Sequence, residues 1–367
     1  MEKKRLRLRT PFRIILSIIA IIVIVTLYFP ISGVLKLTSH DYSFFSSIEI
    51  YKLGLTKDIL KTEYSDVLDK GILDEDFNID YLDSYMMLNY YERDDFLKNT
   101  NSLLDLKYKE ETIDLINSSV SNEFMKVLLK EYVFDIDKYL EVEYFKEENY
   151  ERYKAYFNGN YEKTVLYVNI GLDKEYYTDT TETDKFSITM LVNKYHGVTE
   201  DFAVPDLTAI SDECSAQKDA YLTSEAAKAF EKMCYAAKNE GYQILANSSY
   251  RDYQTQKDTW QFYYDLYGKS YVDKYVTMPG YSEHQTGLAL DVKSANSNIF
   301  KNSKEYTWMI DNSYKYGFIH RYKEEKVNIT GIASEAWHFR YVGVEAATYM
   351  YENNLCLEEY YAMVIDK

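Results

Sequence analysis

A run of apolar residues near the N-terminus limits this chain's options more than any other feature. From Ile14 to Leu35 no residue is charged. About 20 residues rising about 1.5 Å each cross the roughly 30 Å hydrocarbon core of a bilayer. Lys3, Lys4, Arg5, Arg7, Arg9 and Arg13 precede the run, opposed only by Glu2. That excess of cations places the N-terminus on the cytoplasmic side and everything after Leu35 outside. A cleaved signal peptide would share the basic start. This run is longer than an ordinary signal core, however, and no small-residue cleavage site follows it. The expectation is a single-pass membrane anchor at 14–35, a cytoplasmic basic tail at 1–13, and an extracellular remainder.

The remainder must fold in water. A chain of 367 residues exceeds one ordinary core and predicts two folded units. Six of the 42 basic residues and one of the 59 acidic ones lie in the tail, so the rest carries a net charge of −22 against −17 for the whole chain. A surface that acidic excludes nucleic acid as a partner. Cys214, Cys234 and Cys356 are far apart and form no C-x-x-C pair. A Cys214–Cys234 disulfide is compatible with an oxidising exterior. Cys234, however, falls on the apolar face of a helix, and the expectation is that no disulfide is essential.

Residues 36–165 read as a mainly helical stalk or accessory domain. Leu55–Leu60, Tyr108–Ile113 and Tyr144–Asn149 resemble one another as helix starts with acidic residues in the first turn. Their unequal spacing leaves a true repeat open. Residues 166–199 read as a β-rich connection, because Val165–Ile170 and Phe186–Val192 are β-branched and aromatic runs. A catalytic domain is expected at 200–367. In it a helix over Ser224–Glu240 buries Ala226, Ala227, Phe230, Met233, Cys234 and Ala237. Gly241 ends that helix, a short strand follows over Tyr242–Ala246, and a second helix over Tyr253–Tyr267 stops at Gly268. Helices first and short strands later predict an α+β fold.

Chemistry concentrates in two motifs. In the first, His284 is followed by Gly287, Asp291 and the apolar strand Leu288–Val292. Gly287 permits a sharp turn, so an imidazole and a carboxylate can face one ion. In the second, Glu335 precedes His338 by three residues, and Trp337, Phe339 and Tyr341 alternate with His338 and Arg340 as on a strand. The aromatics are expected to pack on one side while His338 faces the site, with Glu335 reaching in from the preceding turn. Two His and one Asp make a mixed N/O set that zinc accepts, leaving a fourth position for water. Glu335 is the natural general base. His196 and His320 fit a structural role. Leu288 stands four residues after His284, so the helical H-E-x-x-H signature is absent.

Together the motifs resemble the VanY-type D,D-/L,D-carboxypeptidases, the M15 zinc peptidases, which carry S-x-H-x-x-G-x-A-x-D followed by E-x-x-H. The matching residues are Ser282, His284, Gly287, Ala289 and Asp291, then Glu335 and His338. Ser249–Gln256, Met278–Tyr281, Tyr316–Ile319, Thr330-Gly331, Trp337–Gly343 and Leu191–Lys194 are also similar to family segments, so the likeness covers about residues 190–360. Ala336 and Lys323 stand where family members often have proline.

The resemblance implies a hedgehog-like zinc D-Ala-D-Ala carboxypeptidase domain. One Zn2+ would be held by His284, Asp291 and His338, and a zinc-bound water activated by Glu335 would be the nucleophile. It further implies that Arg251 binds the substrate carboxylate or the developing oxyanion, and that Gln256 and Ser282 help fix the terminal residue. The implied reaction is release of C-terminal D-alanine from peptidoglycan stem peptides. A serine peptidase remains as a competing class through the S-x-x-K match Ser215–Lys218, without a K-T-G partner. An inactive wall-binding or sensor protein on the same fold is the other alternative. D,D against L,D preference and oligomeric state are not readable from the residues.

Overall fold

The structure, a computed structural model, describes residues 10–178 and 180–366, apart from the side chains of residues 10–13, 24 and 27–29. Two compact units divide the chain, 1–141 and 142–367.

The first unit begins with helix α1 (Thr10–Thr38). Among the described residues no helix is long and apolar enough to cross a membrane. The anchor expected at 14–35 includes residues of α1 whose side chains lie outside the description, and the basic tail up to residue 9 lies wholly outside it. Short helices follow, several begun by serine caps: Ser43 accepts from the Ser46 amide and Ser65 from that of Leu68. Leu37, Ile50, Ile59, Leu68 and Ile72 close one core. The three expected helix starts appear at Thr56–Ile59, at Glu110–Ser119 and as a 3-10 turn at Glu147–Asn149.

A recurring bonding pattern replaces the unequal spacing of the sequence. The Tyr85 hydroxyl donates to Asn101 Oδ1 and accepts from the Asn78 amide, while Asn101 Nδ2 donates to the Asp76 carbonyl. In the second unit, displaced by 68 residues in every member, Tyr153 donates to Asn169, accepts from the Lys146 amide, and Asn169 donates to the Tyr144 carbonyl.

In the second unit two expected strands are corrected. Val165–Ile170 falls largely within helix α2 (Tyr161–Asn169). Asn160 caps that helix by accepting from the Lys163 amide, and Val165 and Val168 are buried at helical spacing, so tertiary burial overrides β-branched propensity. Phe186–Val192 forms no strand. The carbonyls of Ile188 and Met190 accept instead from the Arg340 guanidinium at 3.2 and 2.9 Å.

The central sheet has four antiparallel strands: β1 (Ile244–Ser248), β2 (Ala289–Ser294), β3 (Phe318–Tyr322) and β4 (Glu335–Tyr341), in the order β1-β2-β4-β3. Helix α3 (Ser224–Asn239) packs on it through the apolar face expected from the sequence. Helices α4 (Tyr253–Tyr267) and α5 (Lys269–Tyr275) follow β1, and Gly268 divides them at φ 78°. The fold is thus a mixed helix and strand domain.

Of the cysteine arrangements that the sequence leaves open, the bonded one is present. Cys214 and Cys234 form a disulfide, with Cα atoms 6.1 Å apart. The buried face of α3 and a bond are compatible because a 3-10 turn at Asp212–Cys214 brings the second thiol into the same core.

Candidate metal centre and active site

One cleft of about 320 Å³ gathers the chemistry-bearing residues: Arg251, Gln256, Ser282, His284, Asp291, Glu335 and His338 all line it. The sheet does the gathering. Asp291 on β2 pairs in register with His338 on β4. His284 lies in a 3-10 turn, Glu283–Thr286, that ends at Gly287 with φ 66°. A Cβ there would stand 2.9 Å from Val204, so glycine is required for both conformation and space.

The second motif is arranged differently from the simple alternation expected. Glu335 is the first residue of β4 rather than part of a preceding turn. Between His320–Phe339 and Tyr322–Glu335 the register shifts, with two residues of β3 facing four of β4. Such a bulge re-aims side chains. Phe339 and Tyr341 enter the core, but Trp337 turns to the cleft and stays 43% exposed.

Hydrogen bonds at the far side of each ring fix the imidazoles. His284 Nδ1 donates to the Ser249 carbonyl at 2.7 Å, which leaves Nε2 as an acceptor, 3.5 Å from Asp291 Oδ1. His338 Nε2 donates to Glu283 at 3.1 Å, which leaves Nδ1 as an acceptor, 3.2 Å from the same oxygen. Asp291 Oδ1 is buried without a hydrogen-bond partner. Three acceptor atoms within 4.8 Å of one another therefore face a common point with no donor between them. A cation resolves that arrangement, and two imidazoles with one carboxylate fit zinc.

Electrostatics agree. Burial, with Arg251 nearby, holds His284 below its ordinary value and therefore neutral. Burial alone would raise Asp291, but His284 and His338 hold it far below the usual carboxylate range. Burial alone would lower His338, yet the carboxylates of Asp291 and Glu283 on its two sides hold it up at about 9, so in the metal-free protein a proton on the ring takes the place a cation would have. Burial pushes Glu335 up to about 7. Its Oε2 stands 3.7 Å from His338 Nδ1.

Arg251 follows β1. Its Nε donates to Gln256 Oε1 at 3.1 Å and its Nη1 to Ser248 at 3.2 Å, and no described residue bonds to Nη2. Gln256 is buried, and its Nε2 donates to the Thr277 carbonyl at 2.8 Å, so one end of its amide holds Arg251 while the other is tied to the backbone. Ser282 sits at the mouth of the His284 turn. Sequence reasoning missed Glu283, Tyr322, and the wall of Tyr263, Tyr271 and Tyr275 from α4 and α5. Glu283 stands inside the first motif, next to His284, but nothing in its local spacing marks it, because its partners Arg321, His338 and Arg340 are distant in the chain. His320 and His196 lie outside the triad: His320 donates to the Glu335 carbonyl at 3.0 Å, and His196 Nδ1 stands 3.2 Å from Asn193. The Ser215–Lys218 match does not line the cleft, and Ser215 Oγ donates to the Gln217 carbonyl.

The profile of the VanY family, D-alanyl-D-alanine carboxypeptidase, matches residues 219–344. The chain is 38% identical over 208 residues to YodJ of Bacillus subtilis, covering 53% of this chain and 76% of that protein. It is 34% identical over 178 residues to VanXYC of Enterococcus gallinarum, a bifunctional D-Ala-D-Ala dipeptidase and carboxypeptidase, covering 47% of this chain and 92% of that one. A D-alanyl-D-alanine carboxypeptidase of Enterococcus faecalis is 40% identical over 134 residues, which are 34% of this chain and 50% of the relative. Among solved structures, the LdcB LD-carboxypeptidase is 41% identical over 48% of this chain and 86% of its own, with a TM-score of 0.45. A mutant of the D,D-pentapeptidase VanY in complex with Zn(II) is 32% identical over 47% and 97%, with a TM-score of 0.42. On the extent of these sequence matches, the chain belongs to the VanY family of carboxypeptidases and is a peptide hydrolase.

Proposed function

We propose that this protein is a zinc-dependent carboxypeptidase that removes C-terminal D-alanine from peptidoglycan stem peptides outside the cytoplasmic membrane. The observation that carries the reading is the convergence of three acceptor atoms, Glu335 and a half-engaged guanidinium in one cleft. His284, Asp291 and His338 would hold the ion, which when bound supplies a Lewis acid that polarises the scissile carbonyl and acidifies water. Arg251 receives the terminal carboxylate or the developing oxyanion on Nη2, with Gln256 and Ser248 keeping the fork in place. Glu335 takes a proton from the attacking water as the new C–O bond forms. It returns that proton to the amine nitrogen as the C–N bond breaks. A carboxyl near 7 in the metal-free site is drawn down by a bound cation, which makes it an ionised base at the start of the cycle. Ser282 lines the cleft where the terminal residue would rest.

Two observations support the location. The run at 14–35 is uncharged, follows six cations, and carries exposed apolar side chains on α1 such as Ile14, Ile18 and Ile22. The Cys214–Cys234 bond belongs to an oxidising compartment. Incubation of the protein with pentapeptide and tetrapeptide stems, with and without chelator, tests the activity by product mass. Loss of one D-alanine, stopped by chelator and restored by zinc, is expected, and the preferred stem separates D,D from L,D action. Zinc-loaded, folded protein that cleaves neither stem would leave a wall-binding role. Protease added to intact cells should digest the unit at 142–367, and its protection there would overturn the topology.

A further inference from the structure

Glu283 is a fully buried carboxylate that no part of the proposed reaction uses. Its two oxygens have separate tasks. Oε1 accepts from Arg321 Nε at 2.7 Å and from Arg340 Nη1 at 3.1 Å, and Oε2 accepts from His338 Nε2 at 3.1 Å. The guanidiniums are anchored in turn. Arg321 makes a two-pronged pair with Glu358 at 2.9 and 2.6 Å, and Glu358 accepts from Asn193 Nδ2. Arg340 donates to the carbonyls of Tyr341, Ile188 and Met190. Two cations and two anions thus lie in a core that excludes water.

Burying such a set costs more than well-packed apolar residues of the same volume. A structural ion pair would not need one carboxylate oxygen reserved for an imidazole. We infer that Glu283 is the positioning residue of the metal centre. By accepting a hydrogen bond from His338 Nε2–H it fixes the tautomer whose Nδ1 lone pair would face the ion, and the two arginines hold the carboxylate in place. His284 reaches the same end through its opposite nitrogen, with the Ser249 carbonyl as its partner. A backbone carbonyl is set by the fold, whereas a side-chain carboxylate must be clamped, which explains the arginines on one side only. The partner of a ligating histidine typically contributes 10- to 100-fold to metal affinity.

The inference rests on the zinc reading above, and its test separates the two. Zinc affinity is measured on the full chain in detergent micelles by competition with a chromogenic chelator, for wild type, Glu283→Gln and Glu358→Gln. Glu283→Gln should lose about 10- to 100-fold in affinity. Glu358→Gln removes a clamp partner without touching His338. It should lower the unfolding midpoint while keeping zinc affinity within about threefold, below the range expected of a ligand's partner. Equal affinity in Glu283→Gln and wild type, or equal losses in both variants, would overturn the positioning role and leave zinc binding standing. A wild type that binds no zinc would overturn both. Should Glu283→Gln fail to fold, side-chain 15N spectra of the zinc-loaded wild type decide. Nδ1 of His338 should be metal-bound and Nε2 protonated, and the reverse pattern would refute the inference.

Discussion

The Cys214–Cys234 bond sets a stability difference that follows from chain length. The cysteines are 20 residues apart, and closing a loop of that size removes about 3 kcal/mol of denatured-state entropy at 25 °C. Reduction leaves the same atoms in the same core, because Cys214 is 0% and Cys234 3% exposed and both belong to the main apolar cluster. For a unit of this size each kcal/mol moves the unfolding midpoint by about 2–4 °C, so reduction should lower it by about 6–12 °C. Calorimetry of the full chain in micelles, with and without reductant, reads that difference, and Cys214→Ala with Cys234→Ala reads it a second way. Thiol titration in denaturant should count one reactive thiol, Cys356, before reduction and three after. Three thiols in untreated protein refute the bond. A shift below about 2 °C with the bond fully reduced refutes the loop-entropy argument.

Replacing Glu335 by Ala should lower kcat by about 10²- to 10⁴-fold while stem-peptide binding, measured by calorimetry, survives; loss of binding instead would make Glu335 a structural residue. Arg251→Met removes a charged hydrogen-bond donor worth about 1.5–3 kcal/mol, so kcat/KM should fall about 10- to 150-fold, and a stem amidated at its C-terminus should lose far less between wild type and variant. Zinc uptake should release between one and two protons at pH 7, about one from His338, held up at about 9 in the metal-free site, and about half from Glu335, which stands near 7 there. Calorimetric titrations in two buffers of different ionisation enthalpy measure it, and zinc binding without proton release is the refuting result. The sign for stability is that of a raised histidine. The contribution to the metal-free fold is fully present below the unfolded value of about 6.5 and is lost as pH rises through about 9. The midpoint of chelator-treated protein should therefore fall over that window, and that of zinc-loaded protein should not.

The grouping of His284, Asp291 and His338 in one cleft was legible because much of its information is short-ranged. His284, Gly287 and Asp291 lie within eight residues, and a turn followed by a strand is enough to bring two of them together. Glu335 and His338 are equally local. The helix α3 was legible for the same reason, since its apolar period is complete within 16 residues. The failures share the opposite property. Phe186–Val192 has strand composition, but its carbonyls are claimed by Arg340, about 150 positions away in the chain. Val165 and Val168 prefer strands in isolation, and burial of one helical face decided otherwise. Cys214 and Cys234 are joined because a 3-10 turn folds back on α3, a placement no cysteine spacing encodes.

The same distinction explains why a residue inside the most readable motif went unread. Glu283 is adjacent to His284 in sequence, yet its partner is His338, 55 positions later, through the ring nitrogen opposite the one that stands near Asp291. Its charge is tolerated only because Arg321 from β3 and Arg340 from β4 arrive from other parts of the sheet. Ligand identity is written in local spacing, because a ligand needs only to point at the ion. Ligand orientation is written in long-range contacts, because the atom that fixes a ring must stand on its far side. A strand register that brings Asp291 opposite His338 satisfies the first requirement. The bulge in β4 and the clamped carboxylate satisfy the second.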